Sequence, residues 1–293
     1  MSVDFLCERL LKERNAELHG RYRNSVFAID RLLANYKAVF PFFTNHTFEH
    51  SEQVINYCNM IIGEENAARL NADELYILLM GACLHDVGMG ISERDFMAMK
   101  DAIPGVNKYI NEHPEASVGD VTRAFHQEFA AKFIEKYRDL FEIPSDEHLY
   151  CICQIARGHR KLDLLDTDEF DPHYRLPGGA EVRLPYLAAA VRLADEMDLT
   201  ADRNLLCDYT QEASRWPKEN VLYLKCHQAT KNLRAEGGAL ILTYEETGDP
   251  EVHAELLNIS RKLEKTFGEF ASVVQQRTDF TLVQTHVSFE WIS

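Results

Sequence analysis

Residues 73–90 read DELYILLMGACLHDVGMG, and the fold turns on them. From Leu75 to Leu84 every side chain is apolar or small, so a helix here is hydrophobic all round and has to be buried on every side. The run is much shorter than the ~20 residues a bilayer span requires. Asn71 stands three residues before Glu74, the spacing of a capping box, which sets where the helix begins. At its other end the apolar run stops on His85-Asp86, followed by Gly88 and Gly90. An ionisable pair at the end of a buried helix is costly unless a partner compensates its desolvation, and a metal ion is one such partner.

Around this stretch the periodicity is helical from the N-terminus to about Asn204, interrupted by loops at Pro104, Pro114, Pro144 and Pro172. The segment 175–185, RLPGGAEVRLP, reads as a turn-rich connector, and Pro185 suits the first turn of a helix running through YLAAAVRLADEMDL. After about Cys207 the pattern changes. NVLYLKCHQ (220–228) and GALILTYEE (238–246) read as short β runs, Pro250 to Gln276 as an amphipathic helix, and DFTLVQTHVSFEWI (279–292) as a half-buried strand. The expectation is a mainly α fold: a helical domain over residues 1–206 and a small C-terminal α+β appendage over 207–293.

Composition narrows the ligands. The 293 residues are 46% apolar, enough for a proper core, and carry 31 basic against 47 acidic side chains, a net charge of −16. Such a field repels a polyanionic backbone, so no duplex nucleic acid is expected as a partner. A small nucleotide remains compatible, because bound divalent cations invert the local potential in a pocket of carboxylates and histidines. The seven cysteines lack paired zinc-type spacing and read as reduced thiols, with Cys151 and Cys153 as core packing. No apolar N-terminal stretch follows a basic start. A cytoplasmic protein with no membrane partner is expected.

The chemistry-bearing residues fall on apolar faces. In FTNHTFEHSEQV (43–54), His46 and His50 are one helical turn apart. His126 shares a face with Phe129, Ala130, Phe133 and Tyr137, and His159 follows Ile152, Ile155 and Ala156. Asp195 comes four residues after Val191 and eight after Leu187. A single histidine on such a face is more often a hydrogen-bonded core residue than a ligand, and Arg192 or Arg203 are candidate ion-pair partners for a buried aspartate. Several helices each turning a His or Asp inward point instead to one shared site. His227, His253 and His286 in the appendage match no metal pattern and read as surface residues.

The ordered set His50, His85-Asp86, His126, His159 and Asp195, each expected on its own helix, resembles the HD-domain superfamily of metal-dependent phosphohydrolases over about residues 35–204. Within it, YKAVFPFFTNHTFEHSEQV (36–54) and RLADEMDLTADR (192–203) are similar to bacterial HD proteins of the HD-CE type, which are associated with nucleotide signalling or conflict systems. The resemblance implies an HD-domain helical bundle in which His50, His85, Asp86 and Asp195 ligate one divalent metal. It implies that His126 and His159 hold a second, with Asp86 bridging. Such donors suit Fe, Mn, Zn, Co or Ni, and the sequence does not choose among them or between one ion and two. The implied reaction is hydrolysis of a phosphoester or phosphoanhydride in a nucleotide or nucleotide second messenger. In cyclic-nucleotide phosphodiesterases of the same superfamily, a histidine four residues before the ligand protonates the departing oxygen, which makes His46 the candidate general acid beside Asp86. The alternative places His46 at a helix boundary capped by Thr44, Asn45 or Thr47. Arg160, Lys161 and Arg203 lie close in sequence to the ligands and are the candidate phosphate-binding residues. No Gly-Tyr-Pro follows GHRKLDLLD, so nothing favours cyclic di-GMP. The competing reading is a nucleotide-binding regulator that keeps the pocket and metal without turnover. A homo-oligomer or a protein partner is left open.

Overall fold

Among the described residues the chain opens on α1 (Leu6–Arg14), α2 (Ala16–Leu33), α3 (Phe48–Ala67) and α4 (Ala72–Leu84). The computed structural model describes residues 5–34, 36, 47–200 and 217–293. In α4 the apolar run is buried at every position from Leu75 to Leu84. Its start is the capping box that the sequence predicts: Asn71 accepts from the Glu74 amide while Glu74 accepts from the Asn71 amide. A helix with no polar face needs neighbours all around it, and α1, α2 and α3 pack against α4.

A 3₁₀ turn at Val87–Gly90 leads into the short helices α5 (Glu93–Met99), α6 (Val106–Glu112) and α7 (Val118–Ala124). Two longer ones follow, α8 (His126–Lys136) and α9 (Asp146–Gly158). The 175–185 connector holds a two-stranded hairpin, β1 (Tyr174–Arg175) with β2 (Glu181–Val182), and delivers the chain to α10 (Leu184–Met197), with proline in the first turn as expected.

The C-terminal part comprises α11 (Lys218–Ala229), β3 (Thr230–Glu236), β4 (Ala239–Glu245), α12 (Pro250–Arg277) and β5 (His286–Ile292). β3 and β4 form an antiparallel hairpin, and β5 runs parallel to β4, so α12 is the crossover connection that a parallel pair demands. The fold is mainly α, with small sheets, and α12 lies along α10. Among the described residues no single helix is long and apolar enough to cross a membrane.

Three sequence expectations change here. NVLYLKCHQ is helical, not a strand: it is most of α11, which packs on α12, with Leu224 and His227 buried one turn apart and the Tyr223 and His227 rings 4.8 Å apart. Tertiary packing outweighs the β-propensity of its Val-Leu-Tyr-Leu run. Consequently His227 is a buried residue rather than a surface one. In DFTLVQTHVSFEWI only the second half is a strand. The first half lies against α3, where the Asn66 and Met60 positions take its hydrogen bonds: Asn66 Nδ2 donates to the Thr281 carbonyl at 2.8 Å, and Gln284 Nε2 donates to the Met60 carbonyl at 3.1 Å.

The entries of α4 and α10 are locked together by one buried carboxylate. Glu74 has no solvent exposure and accepts from the Arg183 amide at 3.0 Å and from Arg183 Nη1 at 2.9 Å on both oxygens. Removing one partner of a buried pair leaves an uncompensated charge, which costs about 3–5 kcal/mol. Arg183→Met is therefore expected to lower the unfolding free energy by about 3 kcal/mol in urea denaturation. A loss below about 1 kcal/mol would mean that the backbone donors alone satisfy the Glu74 carboxylate.

Candidate metal centre

Five structural elements bring six side chains to one point, and most of these side chains sit at helix ends. His50 lies in the first turn of α3, His85 is the residue that ends α4, and Asp86 begins the turn after it. His126 opens α8, His159 ends α9, and Asp195 lies in the last turn of α10. The sequence places His126 and His159 within helices and His85 at the end of one; the structure places all three at termini. The reason is chemical. The last carbonyls of a helix have no intrahelical partner. His85 Nδ1 donates to the Ala82 carbonyl at 2.8 Å, His126 Nδ1 to the Arg123 carbonyl of α7 at 2.7 Å, and His159 Nδ1 to the Ala156 carbonyl at 2.5 Å. His50 Nδ1 donates to Asp198 Oδ2 at 2.6 Å. A carbonyl or carboxylate has no proton to give, so each ring carries its proton on Nδ1 and turns Nε2 toward the centre.

The inward atoms form two groups sharing one residue. In the first, His50 Nε2 lies 3.2 Å from His85 Nε2, 3.3 Å from Asp195 Oδ1 and 3.7 Å from Asp86 Oδ2. In the second, His126 Nε2 and His159 Nε2 are 3.0 Å apart and lie 3.5 and 3.6 Å from Asp86 Oδ1. Asp86 thus gives one oxygen to each group. Both groups can hold a metal ion. Donors ~2.0–2.2 Å from one cation stand about 3–3.6 Å apart in octahedral or tetrahedral arrangement, close to the spacings here. Two facing Nε2 lone pairs at 3.0 Å repel unless a cation or proton lies between them, so the donor set fits two divalent ions better than it fits an ordinary core.

The electrostatics agree. Burial alone pushes His85 down, yet Asp86 and Asp195 override it and hold the ring up to about 10. Burial would raise Asp195, but hydrogen bonds from His50 and His85 hold it well below the usual carboxylate range. His126 and His159 are pushed down, first by burial. The first group therefore draws positive charge to itself, and the second keeps its imidazoles neutral and available as ligands.

Gly88 is what allows α8 to begin so close to Asp86. A Cβ on Gly88 would sit 2.2 Å from the His126 carbonyl oxygen and 2.6 Å from the Ala130 amide nitrogen, both backbone atoms that cannot swing aside. Beside the six residues opens a cavity of about 710 Å³. Arg160 and Lys161 line it, and among the described residues neither has a carboxylate partner. His46 and Arg203 lie outside the described residues, as do Thr44, Asn45 and Cys207. Arg192 does not pair with Asp86 or Asp195; it binds Glu269 and two backbone carbonyls instead.

The sequence reading missed several participants. Asp198, which fixes the His50 ring, is spaced three residues after Asp195, and that D-x-x-D spacing at a helix end is the signal that would have found it. Arg123 and, from the C-terminal part, Tyr223 and Lys262 line the same cavity. Nothing local marks Lys262, which pairs with Glu196 at 2.8 Å across two helices distant in sequence.

A family model, HD-CE, matches residues 40–274. The chain belongs to the HD-CE family. No curated protein matches it. The HD-CE match runs past α10 and through nearly all of α12, so it takes in both the metal centre and the helices that line the far side of the cavity.

Two expectations follow for this HD-CE chain. Gly88→Ala pushes α8 away from Asp86, so elemental analysis should find about one metal equivalent fewer than in wild type, matching His126→Ala; an unchanged metal content would show that α8 yields without moving His126. The second concerns pH. With His85 held up to about 10, the metal-free ring is protonated at neutral pH, and the first cation displaces that proton. The apparent affinity should therefore rise with pH, by about ten-fold per unit between pH 7 and 9, and level off above about 10. A flat affinity profile in calorimetric titrations over that window would contradict proton release from His85.

Proposed function

We propose that this HD-CE protein is a metal-dependent phosphohydrolase or phosphodiesterase that hydrolyses a phosphoester or phosphoanhydride bond of a nucleotide or nucleotide second messenger. The observation that carries the proposal is Asp86, whose two oxygens face two different pairs of histidines. Two divalent cations, when bound by His50, His85, Asp86 and Asp195 and by Asp86, His126 and His159, supply Lewis acidity toward a phosphoryl group and activation of water.

The chain's own residues do the rest. Asp86 and Asp195 supply the negative charge that keeps cations in place, and Asp198 holds the His50 ring in its ligating orientation. Arg160 and Lys161, at the cavity wall, take the non-bridging oxygens of the phosphate; the guanidinium offers a planar fork and the ammonium a point charge. A cavity of about 710 Å³ admits a nucleotide with room for its base. His46, four residues before His50 in the sequence, gives the proton to the departing oxygen.

A panel of cyclic, linear-dinucleotide and triphosphate nucleotides with Mn²⁺ or Fe²⁺ tests the reading. Product formation that disappears in Asp86→Asn is expected; tight binding without product would favour a nucleotide-binding regulator. Against a nucleotide ester, His46→Ala should lower kcat by about 10²- to 10⁴-fold at normal metal content, and much less against a nitrophenyl phosphodiester whose leaving group needs no proton. Equal losses on both substrates would remove His46 from the role of acid.

A further inference from the structure

Arg192 is a heavily committed cation beside the metal centre. Its side chain is 11% exposed, and its fork reaches three acceptors in three directions. Nε donates to the Gly158 carbonyl at 2.7 Å, Nη2 to the Leu162 carbonyl at 2.6 Å, and Nη1 to Glu269 Oε2 of α12 at 3.0 Å. The two carbonyls bracket the segment His159-Arg160-Lys161. One is the residue just before the ligand, at the open end of α9; the other is the residue just after the two cations of the cavity wall. Helix-end carbonyls lack an intrahelical partner, so without Arg192 nothing in this bonding pattern ties the turn to α10.

The same face of α12 reaches the centre a second time. Lys262, two helical turns before Glu269, pairs with Glu196, one turn after Arg192 and next to the ligand Asp195. Two charge pairs thus clamp α12 along the α10 turns that carry the site.

We infer that Arg192, backed by Glu269, is the positioning residue of the second metal site: it sets the His159–Lys161 turn, and so makes α12 part of the support of the metal centre. The inference rests on the two-metal reading given above. It uses the guanidinium geometry in particular, since an ammonium is a compact point charge that cannot reach three divergent acceptors at once. Residues that hold a ligand from outside typically change metal affinity by about 10- to 100-fold when replaced, without abolishing the site.

Titration of the metal-free full-length protein with Co²⁺ alone, followed by visible absorption and calorimetry, tests this. His126→Ala supplies the spectrum of the first site by itself. Wild type is expected to take two equivalents in resolved steps. Arg192→Gln should weaken the second step by at least about ten-fold with the first unchanged, and Arg192→Lys should fall between. Glu269→Ala, at a position 40% exposed and therefore tolerant of truncation, should weaken the same step by a few-fold while the melting temperature of the metal-free protein stays close to wild type, and this variant decides the matter if Arg192→Gln does not fold. Both steps weakening together would make Arg192 a general stabilising residue and overturn the inference. So would two unaltered steps in folded variants. A wild type that binds a single equivalent would instead overturn the two-metal reading itself, an outcome visible before any variant is made.

Discussion

Every imidazole at the centre gives its Nδ1 proton outward, to Asp198 or to a backbone carbonyl three residues earlier, and the rest of the site follows from that constraint. With Nδ1 committed, each Nε2 lone pair must face the interior. The neutral His126 and His159 rings meet at 3.0 Å, where two lone pairs repel, while at the His50–His85 contact a proton on His85 takes the place a cation would fill; the two carboxylates sharing the space add negative charge. The ends of α4, α7 and α9 that supply the accepting carbonyls are also the negative ends of their helix dipoles. Everything at this point of the molecule calls for a cation. Under the proposed function this reconciles an acidic chain with an anionic ligand: the positive charge would come with the metal, and Arg160 and Lys161 would extend it along the wall.

Such a site needs a rigid floor, and α4 provides it. Because α4 is apolar all round, it has neighbours on every side and no freedom to rotate a polar face outward. Its entry is fixed by Asn71 and Glu74, and Glu74 in turn ties it to Arg183 at the entry of α10. The two helices that deliver His85-Asp86 and Asp195 therefore start from one buried ion pair and end at one shared centre. Gly88 then brings α8 within backbone contact of the same turn.

The C-terminal part has a share in the site. α11 and α12 line the cavity through Tyr223 and Lys262, and α12 is joined to α10 by Lys262–Glu196 and Glu269–Arg192. The cavity has the His and Asp side chains able to hold metal on one side and these later helices on the other. Under the proposed function, that second wall faces the part of the ligand distant from the phosphate.

By itself the sequence determined whatever depends on near neighbours. The capping box, the all-apolar helix, the proline-led α10, the long α12 and the β3–β4 hairpin partner GALILTYEE are all written in spacings of a few residues. His85-Asp86, His126, His159 and Asp195 were legible because each breaks an apolar pattern, His50 by its spacing from His46, and the ordered resemblance to HD proteins tied the members together. Tertiary structure decided the rest. The run 220–228 has strand-like composition, and only packing on α12 makes it helical and buries His227. Which oxygen of Asp86 faces which histidines, that Asp198 holds His50 from 148 positions away, and that Arg192 grips the His159 turn instead of an aspartate are all contacts between segments far apart in the chain. Local periodicity states which face a residue occupies; it carries no information about the partner across that face, because the partner is chosen by how helices cross and not by their spacing along the chain.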